Sequence, residues 1–312
     1  MSLLSLIAAL LLEQLHPLSS RKHLSAWLNG YVHFFQEHLN AGEHKHGQIA
    51  WLVAVLLPVL ASVLVYWLLY RVHPIFAWIF CVAVLYLTLG FRQVSHYFTD
   101  IHEALRDDSL EKARGLLSTW RGIHNHELNA AEVARIAIEE SLLASHRRIF
   151  GVMTFFVITM LLGLGPSGAV LYRMALFLDT RWGQQDNSEF GAFGSFARKM
   201  RYWIDWLPVR LTAITFAIVG DFEDTVYCWR TQAKTWPDPE AGIVLASGAG
   251  ALGVRLGLPI PQGGLPLDRP EMGIGEEADA DFMQSTVGLV WRALIFWLVL
   301  LALLELATLV GS

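Results

Sequence analysis

Residues 49–70 read IAWLVAVLLPVLASVLVYWLLY, an unbroken run of 22 positions without a formal charge. A helix rises 1.5 Å per residue, so this run reaches across a hydrocarbon core of about 30 Å and predicts a membrane-spanning helix. Pro58 inside it frees a backbone carbonyl, which neighbouring helices or a local kink accommodate in lipid. Residues 74–91, PIFAWIFCVAVLYLTLGF, predict a second span. The link Arg71-Val72-His73 has room only to reverse the chain, so 49–91 reads as an antiparallel helical hairpin.

The composition of the whole 312-residue chain agrees with a lipid solvent. It is 54% hydrophobic and 16% charged, where water-soluble domains carry about a quarter of their residues as charges, and its mean hydropathy is +0.43. A formal charge of −5 leaves no basic excess for a nucleic-acid groove, which removes DNA and RNA as partners. Two cysteines, Cys81 and Cys228, form neither a disulfide framework nor a zinc-ligand pair.

Further apolar segments follow. Residues 149–172 are broken by GLGPSG at 163–168 and read as an interrupted span, and 287–310 form a closing span with Arg292 and Glu305 near opposite ends. The opening MSLLSLIAALLLEQL, residues 1–15, lacks a basic n-region and a cleavage site and reads as a shallow or tilted anchor. Residues 203–220 either dip into the bilayer or lie along it. The expected fold class is therefore an all-α integral membrane protein, a helical bundle of about four to six membrane segments. It forms one membrane domain over 1–312, with 149–220 as interrupted membrane segments, cytoplasmic amphipathic helices and a long Gly/Pro-rich loop over 221–286.

Arg92, Arg106, Lys112, Arg114, Arg121, Arg135, Arg147 and Arg148 crowd 92–148. That bias places 92–148 on the cytoplasmic side of a bacterial inner (plasma) membrane and the N-terminus outside. Within it Ser109 and Asn129 are expected to cap helices, the second of which turns Val133, Ile136, Ala137, Leu142 and Leu143 toward one side.

Charges at membrane boundaries cost roughly 3 kcal/mol each and need partners. Arg173, Asp179, Asp205 and Arg210 are accordingly expected to line a polar pocket on the cytoplasmic side, with Asp205 and Arg210 as the simplest internal pair. The stretch GAGALGVRLG at 248–257 suggests an anion cradle in which Gly250 and Gly253 permit close backbone approach and Arg255 supplies charge, although the P-loop lysine is missing. His96, His102 and Glu103, with Asp100, form a secondary candidate against the plain reading of a solvated helix face. His33, His38, His44 and His46, with His23 upstream, read as a solvated region, and no metal site is assigned.

Several pieces taken together resemble a known family: ALRDDSLEKARGLLSTWRG at 104–122, AEVARIAIEESL at 131–142, LYRMALFLD at 171–179, DWLPVRLTA at 205–213, GALGVRLG at 250–257 and RPEMGIG at 269–275. In order and spacing the chain resembles the CobD/CbiB family of cobalamin-biosynthesis membrane proteins, including its AmpE branch, along nearly its whole length. The opening segment and DWLPVRL are most similar to AmpE, and GALGVRLG is more like the cobalamin enzymes. For a full member the resemblance implies an ATP- and magnesium-dependent amide bond between adenosylcobyric acid and an aminopropanol or its phosphate.

The chain departs from that pattern where Gly122-Ile123-His124-Asn125 replaces Gly-Arg-Asp-Thr, where Leu143-Ala144-Ser145 replaces Ala-Glu-Asn, and where Arg147-Arg148 follow. Losing carboxylates suited to magnesium weakens the synthase reading. The expectation is a divergent inner-membrane protein of sensory or regulatory type, AmpE-like, in an envelope or β-lactam response. The alternative is the cobalamin synthase or a subunit supporting it, with ATP and magnesium as cofactors in that case only. A transporter is a third reading, disfavoured because no internal repeat appears. Expected partners are the lipid bilayer and either a corrinoid ligand or a membrane or cytoplasmic protein.

Overall fold

The computed structural model describes residues 2–15, 21–40, 44–123, 127–183, 193–262 and 265–310. His124 and Asn125 lie outside the described residues, as do the side chains of His23, His44 and Arg92. The helices in chain order begin with α1 (Ser2–Leu15), α2 (Arg21–Leu39), α3 (His44–Val72), α4 (Pro74–Thr88), α5 (Phe91–Arg106), α6 (Leu110–Arg121) and α7 (Ala130–Ser145). They continue with α8 (Gly151–Leu161), α9 (Ser167–Leu178), α10 (Ser195–Val219), α11 (Phe222–Gln232), α12 (Pro239–Leu252) and α13 (Ala280–Val310). Four short strands, β1 (Val254–Arg255), β2 (Ile260–Gln262), β3 (Leu265–Leu267) and β4 (Glu276–Glu277), lie between α12 and α13. The protein is an all-α membrane protein in which Lys45–Val72, Ala130–Leu161, Ser195–Val219 and Ala280–Ala307 are long and apolar enough to cross a bilayer. The ambiguous 203–220 thus belongs to one continuous helix, with Pro208 inside it. The second helix of the expected hairpin is only 15 residues long.

The chain divides into two compact units, the first formed by Met1–Gly90 and Gly151–Pro208. Its α3 shows how an apolar helix is used in lipid. Ala50, Trp51, Ala54 and Val55 form one buried stripe against Val32 and Phe35 of α2 and Met174, Ala175 and Leu178 of α9. Leu52, Leu56, Leu57, Leu60, Leu64 and Trp67 of the same helix stay exposed, the outward face expected where the surrounding solvent is as apolar as the side chains. His73 alone separates α3 from α4, and its ring accepts the Ile75 N–H to cap the second helix. The GLGPSG interruption is a tight turn that lets α8 and α9 pack on each other. Gly163 and Gly165 take left-handed backbone at φ 73° and 63°. Thr159 ties the turn by donating to the Gly165 carbonyl (2.9 Å) and accepting from the Gly168 N–H (3.0 Å).

The second unit comprises Phe91–Phe150 and Val209–Ser312. Asn129 caps α7 as the sequence predicts, and a reciprocal bond from Glu132 completes a capping box. Ser109 occupies the N-cap of α6 but makes no capping bond; its hydroxyl donates to Asp107 instead. The expectation that α7 packs as a peripheral amphipathic helix needs correction: residues 133–139 are buried without a break, because α5, α6, α12 and α13 all pack around it.

The expected long loop over 221–286 also needs correction. Its first half folds as α11 and α12, and the Gly/Pro-rich part outside helices narrows, among the described residues, to 253–262 and 265–279. The glycines of GIVLASGAGAL were the misleading signal. They serve close helix packing, since a Cβ on Gly242 would strike the Ala233 carbonyl, one on Gly248 the Leu142 side chain, and one on Gly250 the backbone of Asp224 and Thr225. Gly250→Val is therefore expected to destabilise the protein by about 2 kcal/mol or more. Gly115→Ala, where α6 is exposed and open space surrounds the position, should stabilise it by about 0.5–1 kcal/mol. Denaturation of the two purified variants in detergent checks both signs.

Candidate functional site

Two clusters of buried charge stand out, one in each unit. In the second unit α7 carries Glu139 into the interior, where its carboxylate is 6% exposed. One oxygen accepts from an Arg269 guanidinium nitrogen at 2.7 Å, and the other accepts from a second Arg269 nitrogen (3.2 Å) and from the Gly257 N–H (2.8 Å). Arg269 also donates to the carbonyls of Gly257 (2.6 Å) and Leu258 (3.1 Å), with its guanidinium 5.7 Å from the centre of the Trp236 ring.

Gly257 and Leu258 both lie in the left-handed region, at φ 70° and 61°, a conformation that costs a leucine energy and persists only where surroundings impose it. Glu139 and Arg269 impose it here, by taking up the backbone groups that the turn leaves without partners. The adjoining RPEMGIG stretch is fastened twice more. Leu256 and Met272 exchange backbone bonds, and the Gln232 side-chain amide pairs with both N–H and C=O of Gly273. Arg135, one turn before Glu139, is 3% exposed and donates to the Pro259 carbonyl at 3.4 Å.

In the first unit Asp179 and Asp205 come together around Arg201, which lies 2.9 Å from an Asp179 oxygen and 3.8 Å from an Asp205 oxygen. All three side chains are less than a tenth exposed. The Tyr172 hydroxyl donates to Asp205 at 2.8 Å, which satisfies the carboxylate further. A π-helical turn, Asp179–Gly183, follows α9 and begins with Asp179 itself.

The expected pocket of Arg173, Asp179, Asp205 and Arg210 is thus assembled in part. Asp179 and Asp205 share one buried cluster, Arg173 is half-buried beside Tyr172 in sequence, and Arg210 belongs to the second unit. The cation that joins the two aspartates is Arg201, outside the expected set, although Arg201 and Asp205 stand at i and i+4 on one helix.

The anion cradle expected at Gly250, Gly253 and Arg255 is not what the fold builds. Gly250 packs against α11, and Gly253 is the left-handed C-cap of α12, a helix end that presents carbonyls and negative dipole where an anion needs N–H groups. Arg255 sits half-exposed on β1, 3.9 Å from Glu271. His96 pairs with Asp100 at 2.9 Å on an exposed face of α5, and Glu103 is exposed too, whereas His102 is half-buried, with its Nε2 turned inward and without a hydrogen-bond partner. His33 pairs with Glu37, and His38 bonds the Phe34 carbonyl. Cys81 and Cys228 are both buried and free. Burial, reinforced by the Asp224 carboxylate, pushes the Cys228 thiol up to about 11, which leaves it protonated and unreactive at neutral pH.

Among the described residues no three His, Cys, Asp or Glu side chains stand close enough to hold a metal ion. The carboxylates of both clusters are engaged by arginine. The described residues therefore do not fit a dedicated magnesium site.

A helical membrane protein whose polar residues gather in such internal clusters is the class these features define. The family described as CobD/Cbib protein matches residues 6–290. The chain belongs to the CobD/CbiB family. It is 34% identical over 302 residues, 96% of each chain, to the cobalamin biosynthesis protein CobD of Stutzerimonas stutzeri. It is 37% identical over 246 residues to the CobD protein of Chromobacterium violaceum, covering 79% of this chain and 76% of that one. The cobalamin biosynthesis protein CbiB of Salmonella typhimurium is 28% identical over 240 residues, 74% of this chain and 72% of that one. No solved structure matches the chain. These names agree with the cobalamin alternative and lend no support to the sensory, AmpE-like expectation.

Removing one member of a buried ion pair strands the other, at a cost of about 3–5 kcal/mol. Glu139→Gln is expected to lose that much stability, because Arg269 keeps its charge in the interior. Glu140→Gln, which breaks only the more exposed bridge to Arg121, should cost less than about 1 kcal/mol. Paired denaturation curves in detergent micelles decide it.

Proposed function

We propose that this chain acts in cobalamin biosynthesis as a membrane-embedded synthase, or an essential part of one, joining a corrinoid carboxylic acid to an aminopropanol or its phosphate through an amide bond. The observation that carries the reading is the meeting of three family-like segments in one buried clamp. Residues 131–142 supply Glu139, 250–257 supply the Gly257 turn, and 269–275 supply Arg269. Catalytic sites need groups held rigidly by a second layer of bonds, and the turn at 257–258 is held in that way by side chains from two other segments. The names of the relatives point to the same pathway. The bilayer is then the first partner and a corrinoid the ligand. The basic bias of 92–148 supports a bacterial inner-membrane placement with that segment cytoplasmic and the N-terminus outside.

The resemblance implies ATP with magnesium as the energy source, and the residues at Gly122-Ile123-His124-Asn125 and Arg147-Arg148 depart from the family where such groups would act. Arg147 lies 4.0 Å from Asp238, at the start of α12.

A complementation assay tests the reading. The chain is expressed in bacteria lacking their own amide-forming membrane protein, and cobyric acid is supplied. Cobalamin-dependent growth is expected, whereas no growth with the protein demonstrably in the membrane would refute synthase activity.

A further inference from the structure

Arg135 is the buried charge that neither cluster uses. Its side chain is 3% exposed, its Nε has no hydrogen-bond partner, and its one hydrogen bond is the long 3.4 Å contact with Pro259. Glu139, four residues on, is the obvious counter-ion, but Arg269 and the Gly257 N–H take up both of its oxygens. Glu132 is committed to the Asn129 capping box, and Glu277 is exposed on β4. Among the described residues no carboxylate forms an ion pair with Arg135. Glu139, Glu132 and Glu277 attract Arg135 through space, but none of them forms an ion pair with it, and its guanidinium stays buried with donors unmet.

Burying a charge without a partner is strongly unfavourable, so a protein that keeps one has a use for it. We propose that Arg135 is an anion-receiving residue, and that the group it receives is a phosphate brought by a substrate or co-substrate of the synthase. The guanidinium fork matches the oxygens of a phosphate in shape as well as charge. The neighbouring turn at Gly257 and Leu258 is already locked by Glu139 and Arg269, so Arg135 alone in this cluster has donor capacity to spare. The choice of phosphate rests on the proposed function; the unmet donors of the buried guanidinium do not. Two sources share that chemistry, the phosphate ester of an aminoalcohol and the phosphates of a nucleotide.

The test is the thermal stability of the full-length protein purified in detergent, titrated with inorganic phosphate. Wild type is expected to gain on the order of 3 °C at saturation. Arg135→Met removes the unmet charge but keeps most of the volume. It should melt higher than wild type without phosphate and gain nothing when phosphate is added. An arginine that merely propped Pro259 would give the reverse, a lower starting Tm, and that result would overturn the proposal. If the methionine variant cannot be purified, Arg135→Lys carries the test: a markedly weaker response to phosphate supports the site, and a response equal to wild type sinks it. A wild-type protein indifferent to phosphate sinks it as well. O-Phosphoethanolamine and a non-hydrolysable ATP analogue, run as parallel titrants, tell the two sources apart by which acts at the lower concentration. None of these readings needs catalytic activity, so failed complementation with an intact phosphate response would reject the synthase and leave the anion site standing.

Discussion

A charged group inside an apolar helical protein must find its counter-charge and hydrogen bonds within the chain, because neither lipid nor close-packed side chains supply them. The Glu139–Arg269 pair meets that demand and turns it to structural use. The carboxylate is met by two guanidinium nitrogens and one backbone N–H, and the guanidinium goes on to two carbonyls of the turn at Gly257 and Leu258. A segment rich in glycine and proline thereby acquires a fixed conformation against α7. Isolated pairs of this kind add little net stability over an apolar replacement. Their effect is to specify one arrangement of the backbone around them.

The same economy appears in the first unit, where one guanidinium serves two aspartates and a tyrosine hydroxyl completes the set. Around both clusters the helices use small residues to approach closely. Gly242, Gly248 and Gly250 on α12 each stand where a Cβ would strike a neighbour, and Ala50 and Ala54 lie in the buried stripe of α3. Outward faces such as that of α3 remain apolar and uncovered, which marks lipid as the medium that completes the fold.

Much of this framework was legible in the sequence, for identifiable reasons. A charge-free run such as 49–70 has only one physical reading at that length, and Asn129 followed by Glu132 announces a helix start through a purely local bond. The glycines of GIVLASGAGAL signal a turn when considered alone, while their packing role depends on α11 and on Leu142. Arg201 and Asp205 could have been paired from their spacing, but Asp179 reaches Arg201 only through the fold. Glu139 and Arg269 are separated by 130 positions, and nothing local in either segment reveals their contact. Both residues lie within stretches that carry the family resemblance, 131–142 and 269–275, but the resemblance does not say that the two stretches meet.

The central claim is that Glu139 and Arg269 hold 253–258 and 269–275 in place as a unit. Hydrogen exchange of backbone amides, compared between wild type and Glu139→Gln under conditions where both remain folded, measures this directly. The account predicts that Leu256, Gly257, Met272 and Gly273 lose protection together while α11 and α12 keep theirs. Loss confined to Gly257, whose N–H bonds Glu139 itself, with unchanged protection at Met272 and Gly273, would show that the segment holds its shape without the pair.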